Sequence, residues 1–98
     1  MSILYVMAKV KSKLGETQKA KNILTRLAAN SEKESGCLSY QILYSSEETD
    51  TFMTLEVWDS KKSERKHWDE PHLKESLKEL EPILAKEPRI EKYQHTSD

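Results

Sequence analysis

Five side chains between Tyr40 and His72 are of types that could combine proton transfer with aromatic recognition: Tyr40, Glu56, Trp58, His67 and His72. An imidazole changes charge close to working pH, so His67 is the first candidate for a general base or proton shuttle. His72, directly after Pro71 at an expected helix start, is the second. Tyr40 and Trp58 carry an O–H and an N–H, donors that could flank a flat aromatic ligand inside an otherwise apolar site. Glu56 shares strand parity with Trp58, and a carboxylate on a covered face needs a partner or an elevated pKa. Pairing with a Lys or Arg is the expected solution for Glu56, with an acid–base role as the other. Phe52, Val6 and Ile42 are expected apolar walls.

Each of these residues also has a packing role open to it, since buried aromatics and single histidines commonly serve the core. Cys37 follows Gly36 and an expected helix C-terminus, where nothing stabilises a thiolate, so a small buried residue is expected there. His67 and His72 are five apart with a proline between them, a spacing that suits no helical metal pair, and no metal site is expected. Lys61, Lys62, Arg65 and Lys66 form a basic run that reads as a solvated face, or as an attractor for a phosphorylated or carboxylated ligand.

The elements that must position these groups follow from hydrophobic period. Ile3 to Val10 is apolar on both parities, as in a strand covered on both faces. From Glu16 to about Ser35, Ala20, Ile23, Leu24, Leu27 and Ala28 form one helical stripe, and Gly36 is placed to stop it. Leu38 to Tyr44 and Thr51 to Trp58 alternate as two strands joined by a polar hairpin loop. In the first of these, Leu38, Tyr40, Ile42 and Tyr44 share a face.

Asp59 or Ser60 can cap a short charged helix ending near Trp68, and Asp69 with Pro71 can open the next. Leu73, Leu77, Leu80 and Leu84 mark that third helix, which Pro82 should kink or tighten. A last strand is expected from Arg89 to about His95.

This order predicts an α+β fold, a ferredoxin-like sandwich with an antiparallel sheet and helices on one face. The 98 residues are expected to form one domain, residues 1–98. One helical layer leaves the other sheet face bare, although the strands carry apolar groups on both parities. A homodimer joined through that face, a dimeric α/β barrel, is the simplest closure.

Sixteen Lys and Arg against seventeen Asp and Glu give a net charge of −1, which offers no electrostatic case for nucleic acid or an anionic membrane. The apolar run at the N-terminus stops at Lys9, too short for a membrane span. The single Cys37 cannot form an intrachain disulfide, which points to a reducing, cytoplasmic setting.

The Gly36-Cys37-Leu38-Ser39-Tyr40 turn into strand, the Phe52 to Trp58 strand ending Glu-Val-Trp, and His67 with Pro71-His72-Leu73 together resemble the antibiotic biosynthesis monooxygenase domain family, and its quinol monooxygenase-like members in particular. The likeness runs from Tyr5 to Tyr93. It implies oxidation of a small aromatic or quinol-type substrate by O2 with no cofactor, the substrate being held as its anion in a dry pocket. His67, Trp58, Tyr40 and His72 are the catalytic candidates under this resemblance, with Phe52, Val6, Ile42 and Glu56 around the substrate.

A haem-degrading branch of the fold uses an Asn on the first strand and a His on the last long helix. Ala8 and Leu77 stand at the corresponding positions here, so the resemblance does not extend to haem degradation. Two alternatives remain: isomerisation of a small phosphorylated signalling metabolite, and a non-catalytic dimeric module that binds a small molecule.

Overall fold

The computed structural model describes residues 2–97; Met1 and Asp98 lie outside the described residues. Alternating apolar side chains make β1 (Leu4–Lys11), and the predicted stripe makes α1 (Thr17–Ser31), with Ala20, Ile23, Leu24, Leu27 and Ala28 all buried. The hairpin strands β2 (Cys37–Tyr44) and β3 (Thr51–Trp58) follow. Two helices, α2 (Lys61–His67) and α3 (Pro71–Leu80), lead through one 3-10 turn (Glu81–Ile83) into β4 (Arg89–Tyr93).

The sheet runs β2-β3-β1-β4 with every pair antiparallel, the ferredoxin-like arrangement that the element order predicts. Register fixes which side chains share a row. Tyr40, Glu56 and Val6 are mutual partners across β2, β3 and β1, and Thr54, Ala8 and Ile90 form the next row across β3, β1 and β4. Leu4, Val6, Val10, Phe52, Glu56 and Trp58 are buried under the helices. The alternate residues Tyr5, Met7, Met53, Leu55 and Val57 lie half-buried on the opposite face.

Four local expectations are corrected. A bulge between Cys37 and Ser39 breaks the parity of β2, so Cys37 packs against the core while Leu38 is 56% exposed rather than beside Tyr40. The first helix ends at Ser31, and Lys33 and Glu34 close tight turns by donating to Asn30 and Ser31 carbonyls. Gly36, with φ +92°, therefore shapes the loop rather than capping the helix. The third helix stops at Leu80, and Leu84 is extended and bridges to Ser12; Pro82 sits inside the 3-10 turn, the tightening its ring favours.

Ser60 caps α2, its hydroxyl accepting from the Ser63 N–H at 3.1 Å. Pro71 occupies the first turn of α3, but the residue before it, Glu70, holds the cap position without a side-chain bond. None of the helices among the described residues is long and apolar enough to cross a membrane.

Candidate functional site

A cavity of about 60 Å³ lies between the sheet and the helices. Val6, Tyr40 and Glu56 supply one row of its floor, Ala8, Thr54 and Ile90 the next, and α1 and α3 roof it with leucines. His67 and Trp68, at the end of α2, close one side. Almost all of the lining is apolar, so each polar group that does face it matters.

Glu56 is 4% exposed and has no cationic partner among the described residues, contrary to the expected pairing with Lys or Arg. Its carboxylate instead accepts from Thr54 Oγ1 at 2.7 Å and from Trp58 Nε1 at 3.1 Å. Burial pushes its pKa up, partly offset by these two hydrogen bonds. Tyr40 beside it is held well above the ordinary phenol range by burial first and by the Glu56 carboxylate second, so it meets a ligand as an O–H donor.

His67 is 3% exposed, and its ring lies 4.8 Å from the Trp58 ring and 5.7 Å from that of Tyr40. Its Nδ1 is 2.6 Å from Oε2 of Glu34, and the same oxygen is 2.6 Å from Nε2 of His72. A carboxylate oxygen offers only lone pairs, so both rings present an N–H to it. With Nδ1 so engaged, Nε2 is the His67 nitrogen left for the cavity.

Glu34, His67 and His72 are the three described residues whose donor atoms could converge on a metal, all lying within 4.8 Å of one another. A tetrahedral ion with bonds of about 2.0–2.1 Å would hold its donors about 3.3 Å apart. Two nitrogens at 2.6 Å from one shared oxygen match charge-assisted hydrogen bonds better.

Residues 3–79 match the family model described as antibiotic biosynthesis monooxygenase. The chain belongs to this family. No curated protein matches it. Among solved structures, a conserved protein from Methanosarcina mazei Go1 is 29% identical with a TM-score of 0.92, the match covering 98% of this chain and 95% of that one. A conserved protein of unknown function from Bacteroides thetaiotaomicron VPI-5482, for which an oxidoreductase role is suggested, is 26% identical with a TM-score of 0.89, over 96% and 98% of the two chains. A candidate antibiotic biosynthesis monooxygenase from Caulobacter crescentus CB15 is 25% identical with a TM-score of 0.91, over 97% and 91%.

Within this monooxygenase-family fold, four of the eight sequence candidates line the cavity: Tyr40, His67, Val6 and Glu56. Trp58 does not. It is fully buried beneath His67, and its N–H is spent on Glu56 rather than offered to a ligand. Phe52 and Ile42 line a separate groove beside α1, with Phe52 stacked edge-on against Tyr44. His72 faces a different, polar pocket that it shares with Lys33, Ser35 and Lys66.

Trp68 and Glu34 are the residues that sequence reasoning passed over. Trp68 is the indole that lines the cavity, and its N–H donates at 2.7 Å to Glu64, one helical turn earlier. Lys92 of β4 binds Glu64 at 3.0 Å and lies over the Trp68 ring. The Glu64–Trp68 spacing of four was a signal that could have placed this ring. Glu34 reaches its partners across 33 and 38 residues, and no local pattern encodes that.

Proposed function

We propose that the cavity takes a small electron-rich aromatic of the quinol or anthrone class and supports its oxygenation by O2 without a cofactor. The observation that carries this reading is the convergence of His67, Tyr40 and Glu56 on one apolar cavity, with His67 bound through Nδ1 so that Nε2 faces a ligand. His67 takes the acidic proton of the substrate at Nε2, and the Tyr40 O–H donates to the oxyanion that forms. The anion passes one electron to O2, and recombination of the two radicals forms a C–O bond to a peroxide. The peroxide regains a proton from His67 and, where the attacked carbon carries a hydrogen, eliminates water to leave a carbonyl.

At about 60 Å³ the cavity is smaller than the roughly 150 Å³ that admits benzene in an apolar protein interior. Substrate entry therefore requires the wall to open, and Leu77 and Ile90, 37% and 41% exposed, mark the mouth. The phosphorylated-metabolite alternative gains no support from the basic run. Lys61 and Arg65 border a groove beside Lys92, and only Lys66 comes near His72.

Oxygen uptake with a panel of quinols and anthrones, under chelation, tests the reading. Turnover of at least one is expected, and His67→Ala should cost at least about tenfold. No uptake with any of them, alongside tight binding, would leave a binding module in its place.

We further propose that residues 1–98 act as one domain in a homodimer that covers the second sheet face, in a reducing, cytoplasmic setting that suits the free Cys37. Tyr5, Met7, Met53, Leu55 and Val57 leave an apolar surface there that no helix among the described residues covers. Sedimentation should give twice the mass of the chain, and Leu55→Glu should halve it; a monomeric wild type overturns the dimer.

A further inference from the structure

The three residues Glu34, His67 and His72 come from three separate segments, the loop after α1, the end of α2 and the first turn of α3, and they meet on a single oxygen. His67 is 3% exposed in its side chain, Glu34 9% and His72 20%, so the trio runs from the cavity wall to the polar pocket outside. The loop that carries Glu34 is tied at its base to the connection between β3 and α2, where the Asp59 N–H donates to the Gly36 carbonyl at 2.8 Å. A buried carboxylate needs its lone pairs met, and two imidazole N–H groups do that here.

We propose that Glu34 is a positioning residue for His67, fixing its Nδ1–H tautomer and ring orientation, and that His72 is the clamp that holds the Glu34 oxygen in place. This deepens the reading of His67 as the base. A neutral imidazole can carry its proton on either nitrogen, and only the Nδ1–H form leaves a lone pair at Nε2 for the cavity. When Nε2 takes a proton, the ring becomes a cation with a carboxylate already bound at Nδ1, so no group has to move to stabilise it. The logic is that of a carboxylate–histidine pair in nucleophilic and general-base catalysis, reached here with a second histidine as the outer support.

The groups facing this trio are few. Glu56 and Tyr40 lie on the sheet side of His67 and Cys37 stands near the Glu34 carboxylate, while Glu70 stands 3.8 Å from His72 Nδ1 and Lys33 and Lys66 border the outer pocket. None of these comes between Glu34 Oε2 and either ring at 2.6 Å.

The test is nitrogen NMR of histidine-labelled protein, with kinetics beside it. Wild type should show His67 with Nδ1 protonated and Nε2 bare; Glu34→Ala should show the Nε2–H tautomer growing in, and Glu34→Asp should restore part of the original signal. Where turnover is measured, Glu34→Ala should lower kcat at least about tenfold with KM within about threefold, because Glu34 does not line the cavity. His72→Gln should give a smaller loss with the His67 tautomer kept.

An unchanged His67 tautomer in a folded Glu34→Ala protein overturns the proposal. So does one equivalent of Zn2+ binding to chelated wild type with both histidine rings shifting, which would make the trio a metal site. The NMR needs no substrate, so it decides the role of Glu34 even if no quinol is oxidised and the oxygenase reading fails.

Discussion

Tyr40 and Glu56 stand opposite each other in the β2–β3 ladder, and burial raises the pKa of both. The two effects reinforce one another, because a carboxylate beside a phenol opposes ionisation of either. At neutral pH the cavity floor thus carries a phenol that stays protonated and a carboxyl whose ionisation is costly. Both arise from one register: a shift of a single residue would turn Tyr40 to the other face.

Glu56→Gln should stabilise the protein at neutral pH. The folded carboxyl titrates above the ordinary value of 4.5, so between that pH and its raised pKa the folded state binds more protons than the unfolded chain. Stability therefore falls as pH rises through this window, and the penalty is absent below 4.5, where both states are protonated. The variant removes the titration while keeping an acceptor for the Trp58 N–H. Thermal melts from pH 4 to 8 should show a Tm gain of a few degrees at the neutral end that vanishes at the acid end. A gain of equal size at every pH would assign the effect to packing instead.

Trp58→Phe should cost about 2 kcal/mol in denaturant unfolding, from a void left in the core and a lost donor to buried Glu56. It should also raise the Glu56 pKa further, since the Trp58 N–H is one of the two hydrogen bonds that oppose its rise. The stability lost should therefore be larger at pH 8 than at pH 4. A pH-independent loss would mean that the indole acts on Glu56 only by filling space.

Gly36→Ala should destabilise by about 2 kcal/mol or more, combining a left-handed backbone with a collision. At φ +92° its new Cβ would run into the Ser63 hydroxyl and stand 2.6 Å from Ser63 Cβ and 2.8 Å from Asp59 Oδ1. Ser63→Gly in the same chain should recover only the part due to the collision with Ser63. Full recovery would show that the backbone conformation costs nothing there, and no recovery would show that the close approach is harmless.

The element order and the sheet were legible in the sequence because periods of two and 3.6 report burial directly, and the buried stripe of α1 lies on the predicted residues. What escaped were features without a period. One extra residue at Leu38 changes which side chains reach the core, and the early end of α1 at Ser31 frees the turn that brings Glu34 to the histidines. Trp58 and Trp68 could not be ranked by type alone. The first is deeper and serves Glu56, while the second is set at the cavity by Glu64, four residues earlier, and by Lys92, a contact that only the packing of β4 creates. His67 was legible as a candidate, but the carboxylate that orients it was not, being 33 residues away.

Cys37 should be slow to react with thiol reagents. Burial first, and the Glu34 carboxylate second, push its pKa up from 9.0 to about 11, and hydrogen bonding from the Ser39 backbone opposes the rise only in part. The nucleophile is the thiolate, whose share at pH 7 falls by tenfold for each unit of rise. Alkylation by iodoacetamide at pH 7 should therefore run at least tenfold slower than for an unfolded control peptide. Glu34→Ala should speed it, because one of the charges opposing the thiolate is then gone, whereas His72→Gln leaves that charge in place and should not. A rate that follows His72 rather than Glu34 would mean that access through the loop, and not charge, limits the thiol.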